Sequence, residues 1–139
     1  MAVQRTLAMI KPDAVERGDA GKILAHYEAE GFSIVACRKT RLTRAEAEAF
    51  YAVHSERPFY GDLCDFMTSG PIYAVALDRE DAIAHLREVM GATNPAEAAE
   101  GTIRALYAEN IERNSVHGSD APETAAEELS FHFAGRDLL

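Results

Sequence analysis

The sequence predicts an α+β fold in which an antiparallel four-stranded sheet is covered by helices. Apolar, β-branched runs alternate along the chain with segments whose apolar residues recur at helical spacing. Turn-forming residues separate these segments, and no repeat, low-complexity tract or flexible linker interrupts the 139 residues. Because a chain of this length is the size of one compact unit, we predict a single domain over residues 1–139.

The first half of the chain alternates between the two patterns. An apolar, β-branched run predicts the first strand, which stops at the turn signal Lys11-Pro12-Asp13. Thr43 followed by Glu46 forms a capping box, which marks the start of a helix. The predicted elements are a strand over 3–10, a helix over 21–30, a strand over 32–42, a helix over 45–53 and a helix over 60–68.

The second half contains a long irregular stretch between two regular regions. Weak periodicity and the breakers Gly91, Pro95 and Gly101 predict an irregular segment, and such segments inside compact domains are usually functional. Asp120 with Glu123 resembles a capping pair at the start of the last helix. The predicted elements are a strand over 72–77, a helix over 80–90, the irregular segment 91–114, a strand over 115–117 and a helix over 121–133.

The order of these elements defines the topology. Without the inserted helical hairpin and the C-terminal helix, the order is β-α-β-β-α-β, which is the ferredoxin-like pattern with helices on one face of the sheet. This pattern occurs in proteins of many activities, so the fold by itself implies no function.

Composition and charge exclude several classes of protein. The chain has 47% hydrophobic and 27% charged residues, as soluble globular proteins do. It lacks an apolar run long enough to span a membrane and an N-terminal signal-peptide pattern, so we expect a cytoplasmic protein. The net charge of −9 disfavours binding to nucleic acid or to anionic membranes, but a small basic pocket remains compatible with nucleotides.

The two cysteines give a second indication of the compartment. Cys37 and Cys64 are distant in sequence and lie among apolar residues, which predicts two free, buried thiols. The alternative is a disulfide, which is typical of secreted proteins.

His117 is the residue whose neighbourhood suggests chemistry. Gly118 removes side-chain bulk beside the ring, and Ser119 with Asp120 opens a helix whose N–H groups attract anions. Glu128 lies two turns into that helix, where its carboxylate could fix the tautomer of the ring and leave the other nitrogen as a nucleophile. The ordinary alternative is a surface or core-edge histidine near a helix start.

Residues 114–120, N-S-V-H-G-S-D, resemble the N-x-x-H-G-S-D signature of the nucleoside diphosphate kinases. Further segments keep the order and spacing of that family: T-L-A-M-I-K-P-D at 6–13, F-Y-x-x-H-x-x-R-P-F at 50–59, S-G-P at 69–71, M-G-A-T-N-P at 90–95 and G-T-I-R at 101–104. The resemblance implies a ping-pong kinase that maintains NTP and dNTP pools. In it, a donor such as ATP phosphorylates His117, and an acceptor nucleoside diphosphate then takes the phosphate.

The resemblance also implies which residues contact the phosphates. Lys11, Arg87 and Arg104 match the family's phosphate-gripping cations, and Thr93 matches a further phosphate contact. Cations suit phosphoryl transfer, because this reaction needs positioning and charge stabilisation more than covalent chemistry. Without the resemblance, the ordinary interpretation is that Arg87 is a solvent-exposed charged residue on a helix and Arg104 a charged residue on a loop.

Other matched positions concern the base, the ribose and the histidine. Phe59 and Ile111 match the two walls of a stacking slot, and stacking tolerates every base. Asn114 matches the residue that bonds the ribose, and Tyr51 matches a residue beside the catalytic histidine. His54 matches a position near the phosphates in some members and ranks lower. The implied catalytic residues are His117, Glu128, Ser119, Lys11 and Tyr51.

The resemblance implies the metal and the assembly as well. No metal-binding motif occurs in the sequence, so we expect Mg²⁺ to arrive on the nucleotide phosphates and no protein metal site. His26, His85 and His132 match no motif and are predicted to be surface or structural residues. The family forms homo-oligomers of dimers, and the resemblance to bacterial members favours a tetramer over a dimer or hexamer.

Three residues depart from the family pattern. Asp19 stands where an apolar residue is usual, Leu106 where an acidic residue is common, and Ser115 where an apolar or small residue is frequent. We expect Asp19 to alter how the first helix packs or how it meets a neighbouring subunit, and Leu106 to remove a polar contact that orders the loop around Arg104.

Two other functions fit the same fold. A nucleotide-binding regulatory domain without turnover could dispense with His117 and Glu128, and both residues are present. An RNA-binding module would need exposed aromatics on the central strands and a basic face, which the acidic charge disfavours.

Overall fold

The computed structural model describes residues 2–138 and contains one four-stranded sheet. The strands lie in the order β2-β3-β1-β4, and every neighbouring pair is antiparallel. This order is that of the ferredoxin-like fold and confirms the predicted fold class. The strands are β1 (Val3–Ile10), β2 (Ser33–Thr40), β3 (Ile72–Glu80) and β4 (Val116–Gly118).

Seven α-helices connect and follow these strands in the described part of the chain. None of the helices within residues 2–138 is long and apolar enough to cross a membrane. The helices are α1 (Pro12–Arg17), α2 (Ala20–Ala29), α3 (Arg44–Phe50), α4 (Tyr60–Met67), α5 (Ala82–Met90), α6 (Ile103–Tyr107) and α7 (Pro122–His132). Single 3₁₀ turns occur at Ala52–His54, Pro95–Glu97 and Gly135–Asp137.

Helices cover both faces of the sheet, each over its own apolar core. On one face, Ile23 and Tyr27 of α2 and Leu86 of α5 are fully buried in one cluster. On the other face, Met67 of α4 and Leu129 of α7 belong to a second cluster. The inserted hairpin, which consists of α3 and α4, and the C-terminal helix α7 therefore cover the face that the ferredoxin-like core leaves open.

The turn predicted at Lys11-Pro12-Asp13 is instead the start of α1. Proline suits the first turn of a helix, because the N–H that it lacks would have no partner there. Gly18 ends the helix in the left-handed conformation, with φ 81°. A helix of one and a half turns carries too few apolar positions for periodicity to reveal it.

Strand β3 extends three residues beyond its prediction. The apolar run ends at Leu77, but pairing with β1 continues until Val3 lies opposite Glu80. Arg5 Nε donates to Asp78 Oδ1 at 2.6 Å across this pair of strands. Strand pairing, rather than the apolar pattern, therefore sets the end of β3.

The predicted helix caps have different outcomes. The Thr43–Glu46 capping box is present, because each residue's side chain accepts the other's backbone N–H, at 3.1 and 2.9 Å. The prediction that Asp120 and Glu123 cap α7 was wrong, because Ala121 is the N-cap of this helix and its N–H donates to Thr124 Oγ1 at 3.0 Å. The Thr124 hydroxyl occupies the place expected for Glu123 and also contacts the Asp120 carboxylate.

Both cysteines are free thiols, as predicted, but only one is buried. Cys64 lies in the core between α4 and the sheet. Cys37 is exposed, which corrects the expectation, because it lies on β2 at the edge of the sheet. An apolar neighbourhood in sequence does not distinguish an edge strand from a central one.

Candidate active site

His117 lies in the middle of β4, opposite Met9 of β1. Its Nε2 is 2.8 Å from Glu128 Oε1 on α7, and Ser119 Oγ donates to the same oxygen at 2.7 Å. The ring of Phe50 packs edge-on to the imidazole at a centroid distance of 5.6 Å. Strand, helix and hairpin thus converge on one ring.

These contacts define which nitrogen of His117 can react. An ionised carboxylate only accepts hydrogen bonds, so Nε2 carries the proton that it donates to Glu128, and Nδ1 keeps its lone pair. Within residues 2–138, Nδ1 makes no hydrogen bond, and the side chain is 21% exposed. A ring nitrogen with a free lone pair, on a partly exposed side chain whose other nitrogen is bonded, is suited to act as a nucleophile.

Gly118 has a different role from the one predicted. A Cβ at this position would lie 2.8 Å from Leu86 Cδ2 and 2.9 Å from Met90 Cε. Both of these side chains belong to α5, so the missing side chain permits close packing of β4 on α5. The glycine therefore faces the core, and the expectation that it clears the way for a ligand was wrong.

Lys11 and Asn114 form a buried pair where β1 ends. Lys11 Nζ donates to Asn114 Oδ1 at 2.9 Å, although the two residues are 103 positions apart in the sequence. Burial, together with the positive charge of Arg104, lowers the pKa of Lys11 to about 8. An anion that binds here would recover favourable interactions that the buried ammonium has lost.

Arg104 holds the irregular segment to the strand that carries the histidine. Its guanidinium donates to the backbone oxygens of Gly91 at 3.0 Å, Val116 at 2.9 Å and Asn114 at 3.4 Å. Burial lowers the pKa of Arg104, and the neighbouring Arg87 lowers it further. Arg104 is therefore both an anchor for the segment and a buried cation.

A cavity of about 420 Å³ brings together three of the predicted phosphate contacts. Arg87 comes from α5, Thr93 from the segment after it, and Arg104 from α6. Glu88 and Glu97 also line this cavity. Arg87 and Thr93 are exposed, so their side chains are available to a ligand in the cavity.

The predicted base and ribose contacts lie at the surface or just below it. Phe59 and Ile111 are 48% and 51% exposed, which is unusual for large apolar side chains. Phe59 contacts the ring of His54 at a centroid distance of 5.6 Å.

Tyr51 is buried, and its hydroxyl has no hydrogen-bond partner in the described part of the chain. Burial and the Glu128 carboxylate raise the pKa of Tyr51.

The remaining predictions concern residues away from the phosphates. His132 is buried in α7, which agrees with a structural role, and His85 lies 3.2 Å from the Glu30 carboxylate. Leu106 is exposed. The loop around Arg104, in which Leu106 was expected to remove a polar contact, is held by the bond from Arg104 to the backbone oxygen of Gly91. Asp19 forms an ion pair with Arg17 at 3.1 Å.

Sequence reasoning missed three residues around the site. Phe50 contacts His117, and Asp13 accepts the backbone N–H of Ser115 at 3.1 Å. Arg17 donates to Ser115 Oγ at 2.9 Å. Phe50 and Asp13 lie within the motifs at 50–59 and 6–13, which gave a signal for their segments but not for these contacts. For Arg17 the signal was its i, i+4 spacing from Asp13, which is common among surface ion pairs.

Comparisons with known proteins agree with this geometry. The family model described as nucleoside diphosphate kinase matches residues 4–138. The chain is 60% identical to a nucleoside diphosphate kinase of Jannaschia sp. (strain CCS1), over 100% of this chain and 99% of that protein. A 52% identical kinase of the same name from Persephonella marina matches over the same shares.

Solved structures give the same result. An Aquifex aeolicus nucleoside diphosphate kinase superposes with a TM-score of 0.97 at 45% identity, covering 99% of this chain and 100% of the other. A halophilic enzyme from Halobacterium salinarum, solved in complex with CDP, superposes with a TM-score of 0.95 at 36% identity, covering 99% and 92%. From its sequence, its fold and its full-length relatives, this chain belongs to the nucleoside diphosphate kinase family.

Proposed function

We propose that His117 carries the phosphate in the nucleoside diphosphate kinase reaction of this protein, and that the chain acts as a single domain. The family transfers the terminal phosphate of a nucleoside triphosphate to a nucleoside diphosphate by a ping-pong mechanism. The observation that carries the proposal is the 2.8 Å contact between His117 Nε2 and Glu128, which leaves Nδ1 as the free nucleophile.

The two half-reactions use the same nitrogen. The Nδ1 lone pair attacks the γ-phosphorus of ATP, the bond from that phosphorus to the bridging oxygen breaks, and ADP leaves. The β-phosphate oxygen of the acceptor diphosphate then attacks the phosphorus, and the P–N bond breaks. Glu128 stabilises the positive charge that the imidazole gains on phosphorylation, and Ser119 holds the Glu128 carboxylate in place.

Cations around the cavity lower the barrier of the transfer. Charge builds on the oxygens of the moving phosphate, and Lys11, Arg87 and Arg104 supply positive charge beside it. The hydroxyl of Thr93 contributes a hydrogen bond to the phosphates. Tyr51, whose buried hydroxyl has no protein partner among residues 2–138, supplies a donor beside the histidine.

The nucleoside binds outside this phosphate site. Phe59 and Ile111 stack on the two faces of the base, and Asn114 bonds the ribose. Stacking reads the π-face and not the hydrogen-bonding edges of a base, so the enzyme accepts purines and pyrimidines.

Magnesium enters as part of the nucleotide substrate. Residues 2–138 contain no group of three His, Cys, Asp or Glu side chains that could hold a metal ion. Arg87 and Arg104 in the cavity would hold the phosphate oxygens, and Mg²⁺ carried by those phosphates would neutralise part of their charge. We further propose a cytoplasmic homo-oligomer built from dimers, with a tetramer favoured.

One labelling experiment tests the phosphate carrier. After incubation with γ-labelled ATP and magnesium, we expect an acid-labile, base-stable phosphate on the wild type and none on His117→Ala. GDP or CDP should then remove the label as a triphosphate. His85→Ala is the matched control, because His85 contacts Glu30 at the surface, and it should be labelled like the wild type.

The labelling experiment distinguishes a phosphate-transferring enzyme from a nucleotide-binding regulatory domain. A regulatory domain without turnover would bind nucleotide and take no label. Labelling of His117→Ala at the wild-type level would also contradict the proposal.

A further inference from the structure

The loop between α6 and β4, residues 108–115, carries two of the proposed nucleotide contacts. Ile111 is the proposed wall of the base slot, and Asn114 is the proposed ribose contact. The loop contains no helix or strand, but its tip is closed by a turn in which the Glu109 N–H donates to the Arg113 carbonyl at 3.0 Å and Asn110 Oδ1 accepts the Arg113 N–H at 2.8 Å. How this turn sits on the rest of the protein depends on the contacts that hold the two ends of the loop.

One side chain, Arg17 of α1, contacts both ends of this loop. At the start, its Nη1 donates to Glu109 Oε1 at 2.8 Å and its Nη2 to the backbone oxygen of Tyr107 at 2.7 Å. At the end, Nη2 donates to Ser115 Oγ at 2.9 Å. Its Nε donates to Asp19 Oδ2 at 3.1 Å at the start of α2, and its Nη1 lies 3.6 Å from Asp13 Oδ2 on α1.

Ser115 adopts a backbone conformation that needs such support. Its φ of 72° lies in the left-handed region, which is unfavourable for a residue with a side chain. Its N–H donates to Asp13 Oδ2 at 3.1 Å, and its carbonyl accepts from the N–H of Lys11 at 2.8 Å. The turn places Asn114 against Lys11, where their side chains meet at 2.9 Å.

The nucleophile is held by other contacts. His117 pairs with Met9 in the sheet and bonds to Glu128 on α7, and neither residue contacts Arg17. Loss of the Arg17 contacts should therefore loosen the loop while His117 stays in place.

We propose that Arg17 is a positioning residue that clamps both ends of the 108–115 loop and so holds Ile111 and Asn114 ready for the base and the ribose. This inference rests on the roles proposed above for those two residues. The energetic effect is pre-organisation, because a loop that is ordered only part of the time binds nucleotide in proportion to its ordered fraction.

Two phosphoryl donors test the clamp in the variant Arg17→Gln. ATP needs the loop, whereas phosphoramidate has no base or ribose and phosphorylates Nδ1 directly with release of ammonia. We expect the rate of labelling by ATP below saturation to fall about tenfold, and the KM for GDP to rise about tenfold with little change in kcat. The rate of labelling by phosphoramidate should stay within about twofold of the wild type. Arg44→Gln is the matched control, since Arg44 also bonds two carboxylates, Glu48 and Asp65, but on the exposed hairpin.

Each outcome decides the inference. An unchanged KM for GDP in Arg17→Gln would overturn it, and an equal loss with both donors would show that Arg17 supports His117 or the fold instead. If circular dichroism shows that Arg17→Gln is unfolded, Ser115→Ala decides by the same criteria, with an expected rise in KM of about threefold. A wild type that ATP does not label at His117 would instead refute the proposed function.

Discussion

Lys11 shows how the environment of one residue sets its chemistry. Lys11 is only 8% exposed, and its ammonium lies close to the positive charge of Arg104. Burial and this neighbouring charge together lower the pKa of Lys11 to about 8. At pH 7 the free enzyme therefore holds Lys11 mainly as a cation. Above pH 8 an increasing fraction of the protein has a neutral amine in the phosphate site.

The affinity for nucleotide should fall as the pH rises above about 8. Bound phosphates stabilise the cationic form of Lys11 and raise its pKa, so binding above pH 8 requires the uptake of a proton. We expect the KM for GDP to rise by up to about tenfold per pH unit between pH 8 and pH 9.5. The variant Lys11→Gln should bind weakly with no such step, and a flat wild-type profile would contradict the assignment.

Glu128 should control the reactivity of His117 rather than the binding of nucleotide. In Glu128→Gln the amide carries no charge to stabilise the phosphorylated imidazole, and its NH₂ group competes for Nε2 and disturbs the tautomer. We expect single-turnover labelling by γ-labelled ATP to slow by roughly 10²-fold with little change in nucleotide affinity. Glu127→Gln on the same helix is the control, and a variant Glu128→Gln that labels at the wild-type rate would refute this role.

At the level of elements, α7 supports the site through an aromatic cluster. Its buried His132 lies against the rings of Phe50, Phe131 and Phe133, and Phe50 in turn contacts His117. His132 Nε2 has no hydrogen-bond partner among residues 2–138. Burial, together with the neighbouring His117, lowers the pKa of His132 to about 4. The other charged groups facing the ring are Glu128, Arg38 and Glu46.

This histidine should make the protein sensitive to acid. The folded-state pKa of His132 lies below its ordinary value of 6.5, so the unfolded chain binds more protons between pH 6.5 and pH 4. The free energy of unfolding should therefore decrease as the pH falls through this range, by up to about 3 kcal/mol. Urea denaturation at pH 7 and pH 5 measures the loss.

A variant separates His132 from the other titrating groups. His132→Phe keeps an aromatic ring in the cluster and removes the proton, so its free energy of unfolding should change less between pH 7 and pH 5 than that of the wild type. His26→Gln is the control, because His26 is only partly buried on α2. An identical pH dependence in His132→Phe and the wild type would exclude His132 as the cause.

At the level of the whole molecule, the charge is unevenly distributed. The chain carries a net charge of −9, yet Arg87 and Arg104 line one cavity, and Lys11 lies close enough to Arg104 for their charges to interact. Such a cluster inside an acidic protein favours small anions that fit the cavity over long polyanions that must approach the whole surface. This distribution agrees with a nucleotide substrate and disfavours the RNA-binding alternative.

The proposed assembly is also a property of the whole molecule. We expect light scattering on the purified protein at micromolar concentration to give a mass several times the 15.2 kDa of one chain, and four times that mass for the favoured tetramer. A single-chain mass under these conditions would contradict the proposed homo-oligomer.

Much of the architecture could be predicted because it depends on local pattern. Apolar patterns located the first three strands and the longer helices, and the place of residues 115–117 in the element order indicated the fourth strand. The Thr43–Glu46 capping box was visible as residue types at the right spacing. The family motifs pointed to residues that the fold then assembles, such as Lys11 with Asn114 and His117 with Glu128. Local patterns and motifs can be recognised in the amino-acid sequence alone, because the residues that form them are close together in the chain or keep a fixed order along it.

The missed features depend on contacts between distant segments. Gly118 faces α5 because two elements pack closely, and Cys37 is exposed because its strand lies at the edge of the sheet. Arg17 contacts Ser115 across 98 positions of the chain. The sequence by itself determined the fold class and the family, and it predicted His117 as the nucleophile. Only the tertiary structure decided which nitrogen of His117 is free and what holds the loop beside it, because hydrogen bonds and packing between remote residues leave no periodic trace in a single sequence.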